Sequence, residues 1–123
     1  DGAAPRAAET LDNRFWAKAA WLGDLHSALK DCRRALRLRP GHGSTLENLG
    51  FVYLRLGRYR DAVASYSEAL SENSRRPDWL FGRALAYRRL GEADMATSDL
   101  AAARNLNPHI DAEYLGYGLE ADR

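Results

Sequence analysis

One cysteine, Cys32, is all the thiol chemistry this 123-residue chain holds. An internal disulfide is impossible, and cysteine usage says nothing about the redox compartment. No residue near Cys32 in sequence would lower its pKa, so it reads as a buried, inert thiol rather than a nucleophile. The three histidines, His26, His42 and His109, fall at no metal-ligand spacing, and with one cysteine no zinc site is expected. Glycine-rich phosphate loops and nucleophile elbows are absent, and Ser, His and Asp occur at no spacing that singles out a triad. We therefore expect no catalytic residue, no metal and no cofactor. Charge of one sign is lacking too: 18 basic side chains stand against 17 acidic ones. Such a balance argues against bulk electrostatic capture of nucleic acid or of an anionic membrane. No apolar run is long enough to span a bilayer. Asp1-Gly2-Ala3-Ala4-Pro5 has neither the basic start nor the apolar core of a signal peptide. The chain opens without Met, as an excised fragment or a processed product would, and the compartment, cytoplasmic or periplasmic, stays open.

What the chain does have is internal periodicity. Leu22-Gly23-Asp24, Leu56-Gly57-Arg58 and Leu90-Gly91-Glu92 place their glycines about 34 residues apart. Ala28, Ala62 and Ala96 fall in the same register, as do Ala35, Ala69 and Ala103. Tyr53 aligns with Tyr87, and Pro40 and Pro108 close the first and third units, with Ser74 in that place in the second. Each unit reads as two amphipathic helices, with small residues where helices must approach closely. The pattern predicts helices near 10–22, 24–38, 44–56, 59–72, 78–90 and 93–105, and no strand. Gly57 and Gly91 suit the ends of first helices. Ser44 with Glu47 has the form of a capping box, and Pro77 suits a first helical turn. Residues 1–8 read as a linker or frayed end.

The second unit, with Leu46, Leu49, Gly50, Tyr53, Ala62, Tyr66 and Ala69, and the third, with Leu80, Arg83, Ala84, Tyr87, Ala96, Leu100, Ala103 and Pro108, resemble the tetratricopeptide repeat. The third departs from it at Arg83, where the family has Leu. The first departs further, with Trp16 at a small-residue position and Ala19 at an aromatic one, a large-for-small exchange that cores tolerate. The resemblance covers nearly the whole chain, and residues 11–117 are also similar to modules at the C-terminal ends of larger bacterial proteins. It implies an all-α, right-handed α-solenoid of three helix–turn–helix repeats over 9–110 (9–42, 43–76 and 77–110). Residues 111–123 form a short capping segment, where Asp111, Tyr114, Tyr117 and Gly118 match the opening of a fourth repeat. Gly116 and Gly118 limit that segment to one or two helical turns before an irregular tail.

In this family the first helices line a concave, peptide-binding groove. By position the groove would hold Asn13, Ala17 and Trp21, then Glu47, Asn48, Phe51, Leu54 and Arg55, then Phe81, Gly82, Leu85, Arg88 and Arg89, with Leu115 at its edge. Phe51 and Phe81 are the expected apolar anchors, the alternative being that they pack within the array. Arg55, Arg88 and Arg89 are the expected basic end, suited to an acidic or C-terminally carboxylated partner segment. The carboxylate-clamp subtype is excluded: its positions hold Asn13, Ala17, Asn48, Asp78 and Gly82, and Asp78 would repel a carboxylate. The arginine run Arg33, Arg34, Arg37 and Arg39 reads as a solvated outer face, not a nucleic-acid site. The resemblance thus implies a protein- or peptide-binding module, not an enzyme, with neither nucleic acid nor membrane as partner and a monomer as the expected state. The rival readings are a structural module that self-associates through Tyr114, Tyr117 and Leu119, or an accessory domain of a larger enzyme.

Overall fold

The computed structural model describes residues 25–115. Six helices follow one another: α1 Leu25–Leu38, α2 Gly43–Leu56, α3 Tyr59–Glu72, α4 Pro77–Arg89, α5 Ala93–Leu106 and α6 Ile110–Leu115. The described residues contain no strand. The helix expected near 10–22 lies outside them.

Each helix forms for reasons visible in its residues. On α1, Ala28, Leu29, Cys32 and Ala35 are buried at helical spacing, while Lys30, Arg33, Arg34 and Arg37 face solvent. Gly57 ends α2 in the left-handed region (φ 77°), which costs glycine no Cβ clash. The Arg58 amide then bonds the Tyr53 carbonyl across the turn. Gly91 (φ 80°) repeats the arrangement one unit later, with the Glu92 amide on the Tyr87 carbonyl. Pro77 opens α4, where a missing N–H is harmless. The capping box expected from Ser44 and Glu47 does not form. His42 is the N-cap of α2, which starts at Gly43, so Ser44 is already inside the helix. The local polar bond at this end joins His42 Nδ1 and Thr45 Oγ1, 2.8 Å apart.

The helices make two layers. α2 packs against α4, and α4 against α6, whereas no contact links α1 to α3 or α3 to α5. Helices that touch on one side and splay on the other curve the stack, so α2, α4 and α6 form the inner, concave layer. At the centre sits the fully buried ring of Tyr66 from α3. It lies against Gly50 of α2, where a Cβ would come within 2.8 Å of the ring, and against Gly82 of α4, where a Cβ would come closer still. Ala62, Ala69, Ala84 and Ala103, also fully buried, allow the other close helix contacts.

Arg83, the departure from the repeat pattern, is explained by its partner. Its Nε and Nη2 bond both carboxylate oxygens of Asp99 at 2.8 and 2.9 Å, and its Nη1 bonds Ser67 Oγ at 3.1 Å. The guanidinium also lies over the Tyr87 ring, 5.7 Å from its centroid. The bond to Asp99 raises the Arg83 pKa further above its ordinary value. An ion pair has replaced an apolar contact, linking α4 to both outer helices beside it.

α6 covers the open end. Ile110 and Tyr114 are buried, and the Tyr114 ring packs on Phe81 with centroids 4.6 Å apart. Its hydroxyl donates to the main-chain carbonyl of Asp78. Arg104 holds Asp111 through two bonds of 2.9 and 2.7 Å. Because Tyr114 is spent on this internal contact, it is not available for the self-association considered above. Tyr117 and Leu119 lie outside the described residues.

Candidate protein-binding surface

The inner layer gathers the expected groove residues of α2 and α4, but it does not present most of them. Phe51 and Phe81 are fully buried, and Glu47, Asn48, Leu54, Gly82 and Leu85 are buried as well. The two phenylalanines are therefore packing residues, not exposed anchors. Phe81 is covered by Tyr114, and Gly82 leaves room for Tyr66 instead of facing a ligand. Asn13, Ala17 and Trp21 lie outside the described residues, as does the side chain of Leu115.

The accessible part of the expected site is its basic end. Arg88 and Arg89 are exposed in the last turn of α4 and have no carboxylate partner among the described residues. Arg55 stands one repeat earlier at the position of Arg89. It is half-buried, with its guanidinium 5.9 Å from the Phe51 centroid. Beside Arg88 a shallow hollow of about 270 Å³ is walled by Gly91, Ala93, Ala96 and Thr97. Small walls next to a guanidinium suit a short acidic side chain.

At the other end of α4 the inner layer holds a buried polar group that includes Asn48. Both atoms of the buried Asn48 carboxamide lack a hydrogen-bond partner among the described residues. The Tyr66 hydroxyl faces that of Tyr114, whose proton goes to the Asp78 carbonyl, so the Tyr66–Tyr114 contact is the one hydrogen-bonding neighbour of Tyr66 among the described residues and is poorly formed. Burial pushes both tyrosine pKa values well above the ordinary range, and the nearby Glu47 and Asp78 carboxylates push the same way. Tyrosine in place of the family's Phe at position 66 was the available signal.

The outer layer carries the arginine run as expected, with Arg33, Arg34 and Arg37 exposed and Arg39 half-buried. Arg33 reaches the Tyr53 hydroxyl at 3.5 Å, and the Arg58 guanidinium lies 4.9 Å from that ring's centroid.

Comparison with known proteins agrees with this architecture. A family profile described as tetratricopeptide repeat matches residues 17–73. The photosystem I assembly protein Ycf3 of Synechococcus sp. (strain CC9311) is 32% identical over 72 residues, covering 56% of this chain and 42% of the relative. That of Parasynechococcus marenigrum (strain WH8102) is 33% identical over 72 residues, with the same coverage of 56% and 42%. The chain thus spans about four tenths of the length of these relatives. The crystal structure of a tetratricopeptide repeat protein from Parabacteroides merdae ATCC 43184 superimposes with a TM-score of 0.71 at 29% identity. The match covers 92% of this chain and 45% of that one. Repeats of this kind generally mediate protein–protein interaction. Repeat register, paired helices and these matches together show a tetratricopeptide-repeat solenoid.

Proposed function

We propose that this chain is a binding module, not an enzyme, and that the rim of its inner layer receives an acidic segment of a partner protein. The observation that carries the reading is the pair Arg88 and Arg89, exposed and without carboxylate partners among the described residues. Elsewhere in the second and third repeats Arg58, Arg76, Arg83 and Arg104 each hold an aspartate. Two unneutralised guanidiniums, that of Arg88 beside a hollow, supply directional, charge-assisted bonds to carboxylates. The matched relatives are named as assembly proteins, which supports a role in holding another chain.

Titration calorimetry with a Glu/Asp-rich peptide bearing a free C-terminus tests the reading. Arg88→Glu with Arg89→Glu should weaken binding at least tenfold, about 1.4 kcal/mol. Arg33→Glu with Arg34→Glu, on the outer layer, should leave it nearly unchanged. Equal losses would mean non-specific charge attraction, and loss only from the outer pair would move the site to the other face. No heat with the unmodified chain would remove acidic segments as the ligand class.

A further inference from the structure

Past α6 the chain continues as Gly116-Tyr117-Gly118-Leu119-Glu120-Ala121-Asp122-Arg123, outside the described residues. Two acids stand here against one base. α6 sets the direction in which these residues leave. The chain reverses between α4 and α5 and again between α5 and α6, and α6 packs on both of those helices. α6 therefore runs the same way as α4, beginning beside its first turn. The contacts agree: the Tyr114 ring meets Phe81, about 33 positions earlier, and the Tyr114 hydroxyl reaches the Asp78 carbonyl. At the end of α4 towards which α6 points stand Arg88 and Arg89, exposed and without a carboxylate partner among the described residues.

The distance left to cover is short. Leu115 stands one repeat period after Phe81, and from Phe81 to Arg88 α4 rises about 10 Å at roughly 1.5 Å per residue. A helical continuation in the register of Tyr114 would bring Asp122 opposite Arg88 and Arg89, with Glu120 about half a turn short of them. Gly116 and Gly118 favour leaving the helix. An extended path, at about 3.3 Å per residue, would reach the level of Arg88 near residue 118, with Glu120 still within a side-chain length of the arginines. Either path delivers a carboxylate to the basic rim.

We propose that residues 116–123 are an internal competitor for this rim: Glu120 and Asp122 contact Arg88 and Arg89, and an acidic partner segment binds by displacing them. The proposal rests on the acidic-segment reading of the rim and adds its regulation. The tail is the fitting occupant because α6 aims it at the arginines, its length suffices and its charge is complementary. Tethering gives it a local concentration on the order of millimolar. Exposed ion pairs are individually weak, so the tail raises the threshold for a partner without closing the site.

NMR of the full chain and titration calorimetry test the contact and the competition separately, with circular dichroism to check that each variant is folded. Without peptide, Glu120→Gln with Asp122→Asn should move the side-chain Nε–H signals of Arg88 and Arg89 and leave those of Arg33 and Arg34 in place. The movement should be the same in dilute and concentrated protein. With the Glu/Asp-rich peptide, the neutralised chain should bind at least threefold tighter than the unmodified one, and the difference should shrink as salt rises. Arg88 and Arg89 signals that do not move would overturn the contact. A movement that grows with protein concentration would put the tail of a second copy on the rim and overturn the internal contact. Equal affinities in the two chains would overturn the competition. No heat from either chain would instead remove the acidic-segment reading, and with it the competition, while the arginine signals would decide the contact by themselves.

Discussion

The bond between Arg83 and Asp99 offers the most direct test of how this repeat array tolerates a departure from its own pattern. One repeat earlier, the equivalent positions hold Leu49 and Ser65, both buried. Arg83→Leu with Asp99→Ser would therefore graft the second repeat's solution onto the third. Taken singly, either change is damaging. Arg83→Leu strands a carboxylate whose side chain is only 9% exposed, and removing one partner of a buried pair costs about 3–5 kcal/mol. Asp99→Ser strands the guanidinium, but with 23% exposure and the Ser67 bond still available its cost should fall near the lower bound, about 3 kcal/mol. In the double variant no charge is left stranded, and replacing a buried ion pair by other well-packed groups is often neutral. It should lose less stability than either single variant, giving a coupling energy of about 2 kcal/mol or more. Urea unfolding followed by circular dichroism would measure all three, with the slope m checked for constancy. Additive losses, with the double variant as damaged as the two singles summed, would refute the reasoning and mean that Arg83 acts through its stem alone.

Three further outcomes follow from the packing. Ala62→Leu and Ala96→Leu put extra methylenes at nearly inaccessible helix contacts and should each cost about 1–3 kcal/mol. Unchanged thermal unfolding in both would mean the close approaches lie elsewhere. Tyr66→Phe removes a buried hydroxyl that has no well-formed hydrogen bond among the described residues and should leave stability equal or higher by about 1 kcal/mol, read from the urea midpoint; a clear loss would show that its contact with Tyr114 is a full hydrogen bond. Arg104 holds the Asp111 carboxyl below its ordinary value of 3.8, so the contact stabilises α6 above that pH and its contribution is lost as pH falls through the lower folded value. Protection of the α6 amides against hydrogen exchange, taken relative to the intrinsic rate at each pH, should therefore fall in acid, and Asp111→Asn should remove that acid step.

The fold was legible because repetition multiplies a weak local signal. Gly57 and Gly91 lie in the left-handed region that a helix–helix turn requires, and the alanines of the shared register lie at helix contacts. What was not legible was set by exchange of volume between neighbouring repeats. Gly82 corresponds to Asn48, and Tyr66 corresponds to Cys32, each pair one period apart. A large ring on α3 faces a bare backbone on α4, and the ring can enter only because the side chain opposite is missing. Motif alignment treats each position by itself, so it assigned Gly82 to the groove. The capping box failed for a similar reason. Ser44 and Glu47 have the right spacing, yet Glu47 is buried against the array and the helix begins before Ser44.

The inner layer on which we place the proposed binding surface was legible by helix, but which of its side chains are exposed was not. Assigning first helices to the inner layer placed Phe51, Phe81, Leu85 and Arg88 on one side of the molecule. Exposure, however, depends on what lies across from each side chain, and for Phe81 that is Tyr114, about 33 residues further along the chain. A capping helix must bury something to stay folded, and six residues can do so only with their largest members. Tyr114 and Ile110 meet that need by closing on the apolar end of α4. Long charged side chains at the opposite end of α4 have no such cover, and full burial would strip water from unpaired charge. The segregation of a closed aromatic end of α4 from its open arginine end is therefore a consequence of where α6 packs, and it fixes which chemistry the proposed surface can offer a partner.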